Sequence, residues 1–291
     1  MTAPQLFDCR LILQRRARAA LAASPPDFLL RRVAEDIRER IEAVERQFSR
    51  VLCLGAYHGV MAEALPEGTG GEIIVAAEAS QPLAARCPGV RICADEALLP
   101  FRDGAFDLAV SALSLHLVND VPGALAQIRR ALKPDGLFLG AVLGGDTLRE
   151  LREAFMLAEI EQEGGASAHV APMAGIRDYG ALLQRAGFAL SVADVDVVDV
   201  TYRSPLALMH DLRGMAAANP LTERRKRFLR RATLTRAMEI YRERFAAGDG
   251  RIRATFEVIH LSGWVPHESQ KKPLSPGSAQ VHLSDALAPK K

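Results

Sequence analysis

Apolar positions change period repeatedly along this chain, and each change predicts an element. Val51 to Leu54 reads as a short buried strand, Val60 to Leu65 as a helix, and Glu72 to Glu78 as a second strand. A helix from Gln81 to Cys87 leads to a third strand, Arg91 to Ala94. After the Arg102-Asp103-Gly104 turn signal, Phe106, Leu108, Val110 and Leu113 predict a fourth buried strand. From Val121 the period becomes helical, with Leu125, Ile128 and Leu132 on one face and Gln127, Arg129 and Arg130 on the other. Arg129, Arg130 and Lys133 favour the negative end of that helix, and Pro134-Asp135-Gly136 is expected to stop it and reverse the chain. A fifth strand, Leu137 to Leu143, follows. Buried strands joined by single helices make right-handed parallel crossovers. The expectation is an α/β fold whose ligand lies beyond the carboxyl ends of its strands.

The flanks read differently. Helical pattern runs from Leu6 to Ala23, breaks at Ser24-Pro25-Pro26, and resumes from Asp27 to Phe48 with Asp27 as N-cap. Arg10, Arg15, Arg16 and Arg18 have the sign of an organellar leader, but Leu6, Leu11, Leu13, Ala17, Ala20 and Leu21 favour an amphipathic helix packed on the domain. Past Leu143, Thr147 and Glu150 form a capping-box pattern opening a helix to Ile160, and a Gly164 to Ser167 loop follows. Then come a helix from Ile176 to Ala186 closed by Gly187, a sixth strand from Ala189 to Tyr202, helical pattern from Ser204 to Ala247, and a last strand from Ala254 to Trp264. The division is a helical segment 1–48, an α/β domain 49–266 with a helical insertion 204–247, and an irregular tail 267–291.

Composition narrows the function. A formal net charge of +2 over 291 residues argues against a dedicated nucleic-acid binder. Cys9, Cys53, Cys87 and Cys93 show no CxxC pairing, so a reducing, cytoplasmic setting without disulfides or structural zinc is expected. No run approaches a membrane span. The segment Glu223 to Arg244 carries Arg224, Arg225, Lys226, Arg227, Arg230, Arg231, Arg236, Arg242 and Arg244 against three glutamates. As a helix it would present a basic face to a partner protein or to anionic lipid at the inner side of a membrane.

Candidate chemistry gathers on the strand ends. Val51 to Leu54 runs into the turn Gly55-Ala56-Tyr57-His58-Gly59, where two glycines permit positive φ and close approach to a ligand. Glu78 ends the second strand, where a carboxylate can accept both ribose hydroxyls. Asp95 and Glu96 end the third, where an acid can receive an adenine amino group.

The glycine turn, the strand-two acid, the Asp before Leu99-Pro100-Phe101, Phe106-Asp107-Leu108 and Arg130-Ala131-Leu132-Lys133-Pro134-Asp135-Gly136 resemble class I S-adenosylmethionine-dependent methyltransferases over Val51 to Leu143. That resemblance implies a seven-stranded, mostly parallel Rossmann-like sheet and S-adenosylmethionine as cofactor, held by Gly55, Ala56, Tyr57, Gly59, Glu78, Asp95, Glu96 and Ser111. The cofactor site is partly degenerate: Cys53 stands where the pattern has an acid and Tyr57 where it has glycine. A charged hydrogen bond lost at 53 is worth roughly 1.5–3 kcal/mol.

Across almost the whole chain, Ser111-x-Leu113-Ser114-Leu115-His116, Gly144-Gly145-Asp146-Thr147-Leu148-x-Glu150-Leu151-Arg152, Glu163-Gly164-Gly165, Arg185-Ala186-Gly187-Phe188, Tyr241-Arg242 and His267-Glu268-Ser269-Gln270 are similar to the respiratory complex I assembly factor 5 family. The resemblance implies a bacterial member that hydroxylates an arginine of the quinone-module iron-sulfur subunit of NADH:quinone oxidoreductase. Two alternatives stay open: a methyltransferase acting on a small or carrier-bound substrate, as in the similar malonyl carrier protein O-methyltransferases, and a non-catalytic assembly module. His116 and Asp146 are the candidate catalytic residues. With His58 they have the composition of a ferrous iron triad, although packing or hydrogen bonding explains these residues more simply, and no metal is assigned.

Overall fold

A computed structural model describes residues 5–270. Helices α1 (Cys9–Ala19) and α2 (Phe28–Glu42) precede the sheet. The alternation follows as β1 (Arg50–Leu54), α3 (Val60–Ala64), β2 (Ile73–Glu78), α4 (Gln81–Ala84), β3 (Val90–Cys93), β4 (Phe106–Ala112), α5 (Val121–Ala131) and β5 (Leu132–Leu143). Then come α6 (Arg149–Glu163), α7 (Ile176–Arg185), β6 (Ala189–Tyr202), α8 (Pro205–Gly214), α9 (Arg231–Phe245) and β7 (Ile252–Trp264). The seven strands lie in the order β3-β2-β1-β4-β5-β7-β6. β1 to β5 are parallel, and β7 runs antiparallel to both β5 and β6.

Apolar runs without alternation made β1 and β4 central strands, since a sheet covered on both faces buries every side chain. One layer packs Val33, Ile37 and Ile41 of α2 with α6 and α9 against the sheet, and the other packs Leu125 and Ile128 of α5 with Tyr179 and Leu183 of α7. From β1 the chain proceeds to β2 and β3 on one side and later to β4 and β5 on the other. A crevice therefore opens between the carboxyl ends of β1 and β4, where Leu54 is in register with Ala77 and Ser111.

Four expectations need correction. α1 is shorter than predicted, and Leu6, Leu13 and Leu21 of its proposed apolar face are exposed, while Arg16 and Ala19 are buried. The helix is rotated because Arg16 has ionic partners in the core. Asp27 precedes α2 without a capping hydrogen bond, its carboxylate lying instead beside Arg31 and His58. Thr147 and Glu150 do not form a capping box: Leu148 sits at φ 54 before α6, Thr147 exchanges hydrogen bonds with the Glu257 backbone, and Glu150 receives the Thr255 N–H and hydroxyl. Tertiary partners on β7 outcompete the local cap. Finally, Lys133 to Gly136 does not precede β5 but forms an irregular stretch inside it, between the Phe106–Leu132 and Leu108–Leu137 pairs.

The insertion is also less helical than predicted. Residues 215–230 form no helix between α8 and α9, so only Arg231 onward of the basic segment is helical. Arg224 pairs with Asp8, Arg225 with Glu159 and Glu163, Arg236 with Glu161 and Glu243, and Arg244 with Glu153. Much of its charge is thus spent within the molecule. Of the expected irregular tail, all but residues 267–270 lies outside the described residues.

Candidate functional site

The glycine turn after β1 carries Gly55 at φ +58 and Gly59 at φ +97, both left-handed. A methyl group on Gly55 would lie 2.2 Å from Ser114 Cβ and 2.8 Å from Glu96 Oε1, so only glycine fits where the turn meets the β4 loop. Tyr57 shares the left-handed region at φ 52. Its ring leaves the turn sideways, with the hydroxyl donating to the Gly214 carbonyl at the end of α8 at 3.3 Å. Buried Ala56 donates its N–H to the Ala77 carbonyl, which ties the turn to β2.

Glu78 is wholly buried at the end of β2. It accepts the Tyr57 N–H at 2.9 Å, the Ser80 N–H at 2.9 Å and the Arg16 guanidinium at 3.1 Å. Glu96, also buried, accepts the Ser114 hydroxyl and lies 3.6 Å from the same guanidinium. A second nitrogen of Arg16 donates to Ser114 Oγ at 3.1 Å. Burial opposes the charge of Arg16, but Glu78 and Glu96 outweigh it and hold its pKa above the ordinary value. Asp95 stays at the exposed rim, where it accepts the Ala97 N–H at 2.9 Å. Ser111 is wholly buried and its hydroxyl has no hydrogen-bond partner among the described residues.

Cys53 lies in the β1 core, in register with Ala76 and Val110, and burial pushes its thiol up to about 12. It is an uncharged packing group and cannot replace a carboxylate.

Beside the turn, a cavity of about 330 Å³ extends between the sheet edge and the segments 169–173 and 209–220. Leu113, Leu143, Phe155, Met173, Met209 and Phe256 make much of its wall apolar. His116 lines it from a 3₁₀ turn, Leu115–Leu117, that follows β4. Burial, reinforced by the charge of Arg16, pushes His116 down to about 3, so the imidazole is neutral at physiological pH. Its Nδ1 has no partner among the described residues.

The structure thus gathers Gly55, Ala56, Tyr57, Gly59, Glu78, Glu96, Ser111 and His116 on one sheet edge, and it separates Asp146 from them. Asp146 is exposed, does not line the cavity, and is held by its N–H on Glu257 at 2.7 Å. His58 points to Asp27 at 3.4 Å, so the three residues of the iron composition face different partners. No group of three His, Cys, Asp or Glu with metal-holding geometry occurs among the described residues.

Arg16 is not singled out by the sequence, where it stands among Arg10, Arg15 and Arg18. The available signal was its position four residues after Ile12 and three before Ala19, a charge inside the inward stripe of α1.

The strand order with reversed β7, the glycine turn at the switch point and the buried acid at the end of β2 define the class I methyltransferase fold. A methyltransferase domain model matches residues 52–140. The Bacillus subtilis YcgJ protein shares the fold with a TM-score of 0.55 at 16% identity, over 80% of this chain and 98% of that one. Arginine-hydroxylase NDUFAF5, mitochondrial, of Mus musculus is 42% identical over 286 residues, 96% of this chain and 83% of that protein. The malonyl-acyl-carrier protein O-methyltransferase of Halorhodospira halophila is 33% identical over 270 residues, 88% of this chain and 90% of that protein. This chain belongs to the arginine-hydroxylase NDUFAF5 family. No helix of the described residues is long and apolar enough to cross a membrane.

Proposed function

We propose that this protein is a bacterial, cytoplasmic arginine hydroxylase acting on a quinone-module subunit of NADH:quinone oxidoreductase during assembly. The observation that carries this reading is the 42% identity to the mouse arginine hydroxylase along 96% of the chain, from the N-terminal helices through β7. A carrier-protein methyltransferase is the second reading, favoured by the 33% identity to the Halorhodospira enzyme. A non-catalytic assembly module is the remaining alternative.

The donor set suits the adenosine half of S-adenosylmethionine. Glu78 is the acceptor for ribose hydroxyls, Asp95 and Glu96 are the acids on the adenine side, and Ser111 offers a buried hydroxyl with no partner among the described residues. Gly55, Ala56, Tyr57 and Gly59 form the turn that a ligand would approach. Where the methyltransferase pattern has an acid, Cys53 is buried in β1 and offers the methionine ammonium group no charged partner. When bound, S-adenosylmethionine supplies a sulfonium-borne methyl group. The chain's own part is to exclude water through the apolar cavity wall and to orient the substrate. His116, neutral and with an Nδ1 that has no partner among the described residues, serves better as a hydrogen-bonding group than as a strong base. Asp146, exposed and outside the cavity, faces a protein substrate from the rim.

The basic segment keeps one role for a membrane surface: Phe228 is 100% exposed between Arg227 and Leu229, with Lys226, Arg230 and Arg231 nearby in sequence. Sedimentation with vesicles of anionic and of zwitterionic lipid tests it, and equal binding to both removes it.

Mass spectrometry of the quinone-module subunit, from cells with and without this protein, distinguishes the chemistries. Hydroxylation adds one oxygen and removes two electrons from the substrate carbon, so it requires an external oxidant; methylation adds CH₂. An arginine that loses an oxygen on deletion supports hydroxylation, a lost methylene supports the transferase, and an unchanged subunit rejects both activities on it.

A further inference from the structure

Arg16 is the one charged side chain that α1 buries, and it is buried against the acids of the candidate nucleoside site. We propose that Arg16 is a tethered occupant of that site: a nucleoside enters by exchanging its ribose diol for the guanidinium on Glu78, so that ligand binding and the docking of α1 compete. This rests on Glu78 being the ribose acceptor, as set out above.

The count of acceptor sites requires an exchange. A carboxylate offers about four lone-pair positions. Ser80 N–H, Tyr57 N–H and Arg16 already use three on Glu78, and a diol needs two. The first two donors are backbone groups fixed by the end of β2 and by the turn, so Arg16 is the one that can leave. The cavity supports the same order of events. It is lined by Arg16, Gly55, Tyr57 and His116 and reaches neither Glu78 nor Glu96, both of which lie against the Arg16 guanidinium.

α1 is built to be released. Its apolar anchorage is small: Ala19 is buried, Ile12 packs with Phe7 on Ala171 and Leu221, and Leu13 and the following Leu21 are exposed. Its attachment is mostly polar: Phe7 and Asn119 exchange two hydrogen bonds, Arg15 donates to the Asn219 carbonyl at 2.7 Å, and Arg86 donates to the carbonyls of Ala20 and Ala22. Segments with few apolar contacts and many polar ones open at the low end of a protein's stability range. The same contacts tie α1 to residues 218–221, which border the cavity, so release of Arg16 also loosens the cavity rim.

The test uses the full-length protein and S-adenosylhomocysteine, a neutral thioether with the same ribose. Hydrogen exchange across residues 9–19 is measured with and without it, and calorimetry compares the wild type with Arg16→Gln and Glu78→Gln. Competition predicts faster exchange in α1 when the ligand is added and an affinity about tenfold higher for Arg16→Gln. Slower exchange together with weaker binding by Arg16→Gln overturns the proposal, since Arg16 would then be a ligand contact. Unchanged exchange with unchanged affinity overturns it as well. Absence of binding by both wild type and Arg16→Gln, or full binding by Glu78→Gln, rejects the nucleoside reading itself. Should Arg16→Gln fail to fold, the wild-type exchange comparison decides alone.

Discussion

Glu159→Gln removes a charge from the junction that holds the outer wall of the cavity. Glu159 of α6 is buried and accepts His169 Nε2 at 2.9 Å, Arg225 at 2.9 Å and the Ser167 hydroxyl at 2.8 Å. Burial works against its charge, yet these donors outweigh burial and bring the carboxyl down to about 2, against 4.5 in an unfolded chain. A carboxyl whose folded pKa is depressed contributes stability that is whole above the unfolded pKa and is lost as pH falls toward the folded one. The difference corresponds to about 3 kcal/mol at neutral pH. Arg225 keeps Glu163 at 2.8 Å in the variant, so no cation is left buried without a partner to inflate the loss. Urea unfolding of wild type and Glu159→Gln from neutral pH to about pH 2.5 measures it. The two stabilities should differ by about 3 kcal/mol at neutral pH and converge as the pH falls below 4.5. Parallel curves would refute the reasoning. Because His169 stacks on Phe155 at 4.1 Å and Val170 and Ala171 follow it along the cavity, hydrogen exchange in residues 164–171 should rise in the variant.

His116→Asn should flatten a different part of the pH profile: the folded imidazole resists protonation until about pH 3 while the unfolded one charges near 6.5, so wild-type stability falls as pH drops below 6.5. Melting temperatures at about pH 7 and about pH 5 reveal it, and an equal drop in both proteins contradicts the assignment. Gly55→Ala forces a methyl group into contact at 2.2 Å with Ser114 at φ +58 and should cost about 2 kcal/mol or more, with loss of S-adenosylhomocysteine binding by calorimetry. A variant as stable as wild type would mean that the turn relaxes. Cys53→Asp restores the methyltransferase pattern in sequence but puts a carboxylate where no surface is exposed, so the unfolding free energy measured by urea should fall by several kcal/mol. Higher S-adenosylmethionine affinity with retained stability would show that position 53 reaches the ligand.

Much of the sheet was legible because its signal is local. Strand runs such as Val51 to Leu54 and Leu108 to Val110 are apolar at every position, and β6 was placed at Ala189 to Tyr202 by its valines. The carboxyl edge of the sheet was legible for a related reason: a parallel sheet puts every strand end on one side, so Gly55, Glu78, Glu96 and Ser111 had to be neighbours. Elements fixed by distant partners were misread. The capping-box spacing of Thr147 and Glu150 was present, but both side chains found stronger partners on β7. The span 215–230 has helical composition, yet Arg224 and Arg225 are held by Asp8, Glu159 and Glu163 from other elements.

By itself, then, the sequence determined the order of strands and helices, the class of fold, the family, and which acids share the carboxyl edge of the sheet, since these follow from periodicity and from motifs at fixed spacing. Tertiary structure alone decided what those acids touch. Arg16 lies 62 positions before Glu78 in the chain, and no local pattern couples them. Burial in a medium that penalises lone charges brought α1 across the site to neutralise two carboxylates, left His116 neutral, and kept Asp146 outside the cavity.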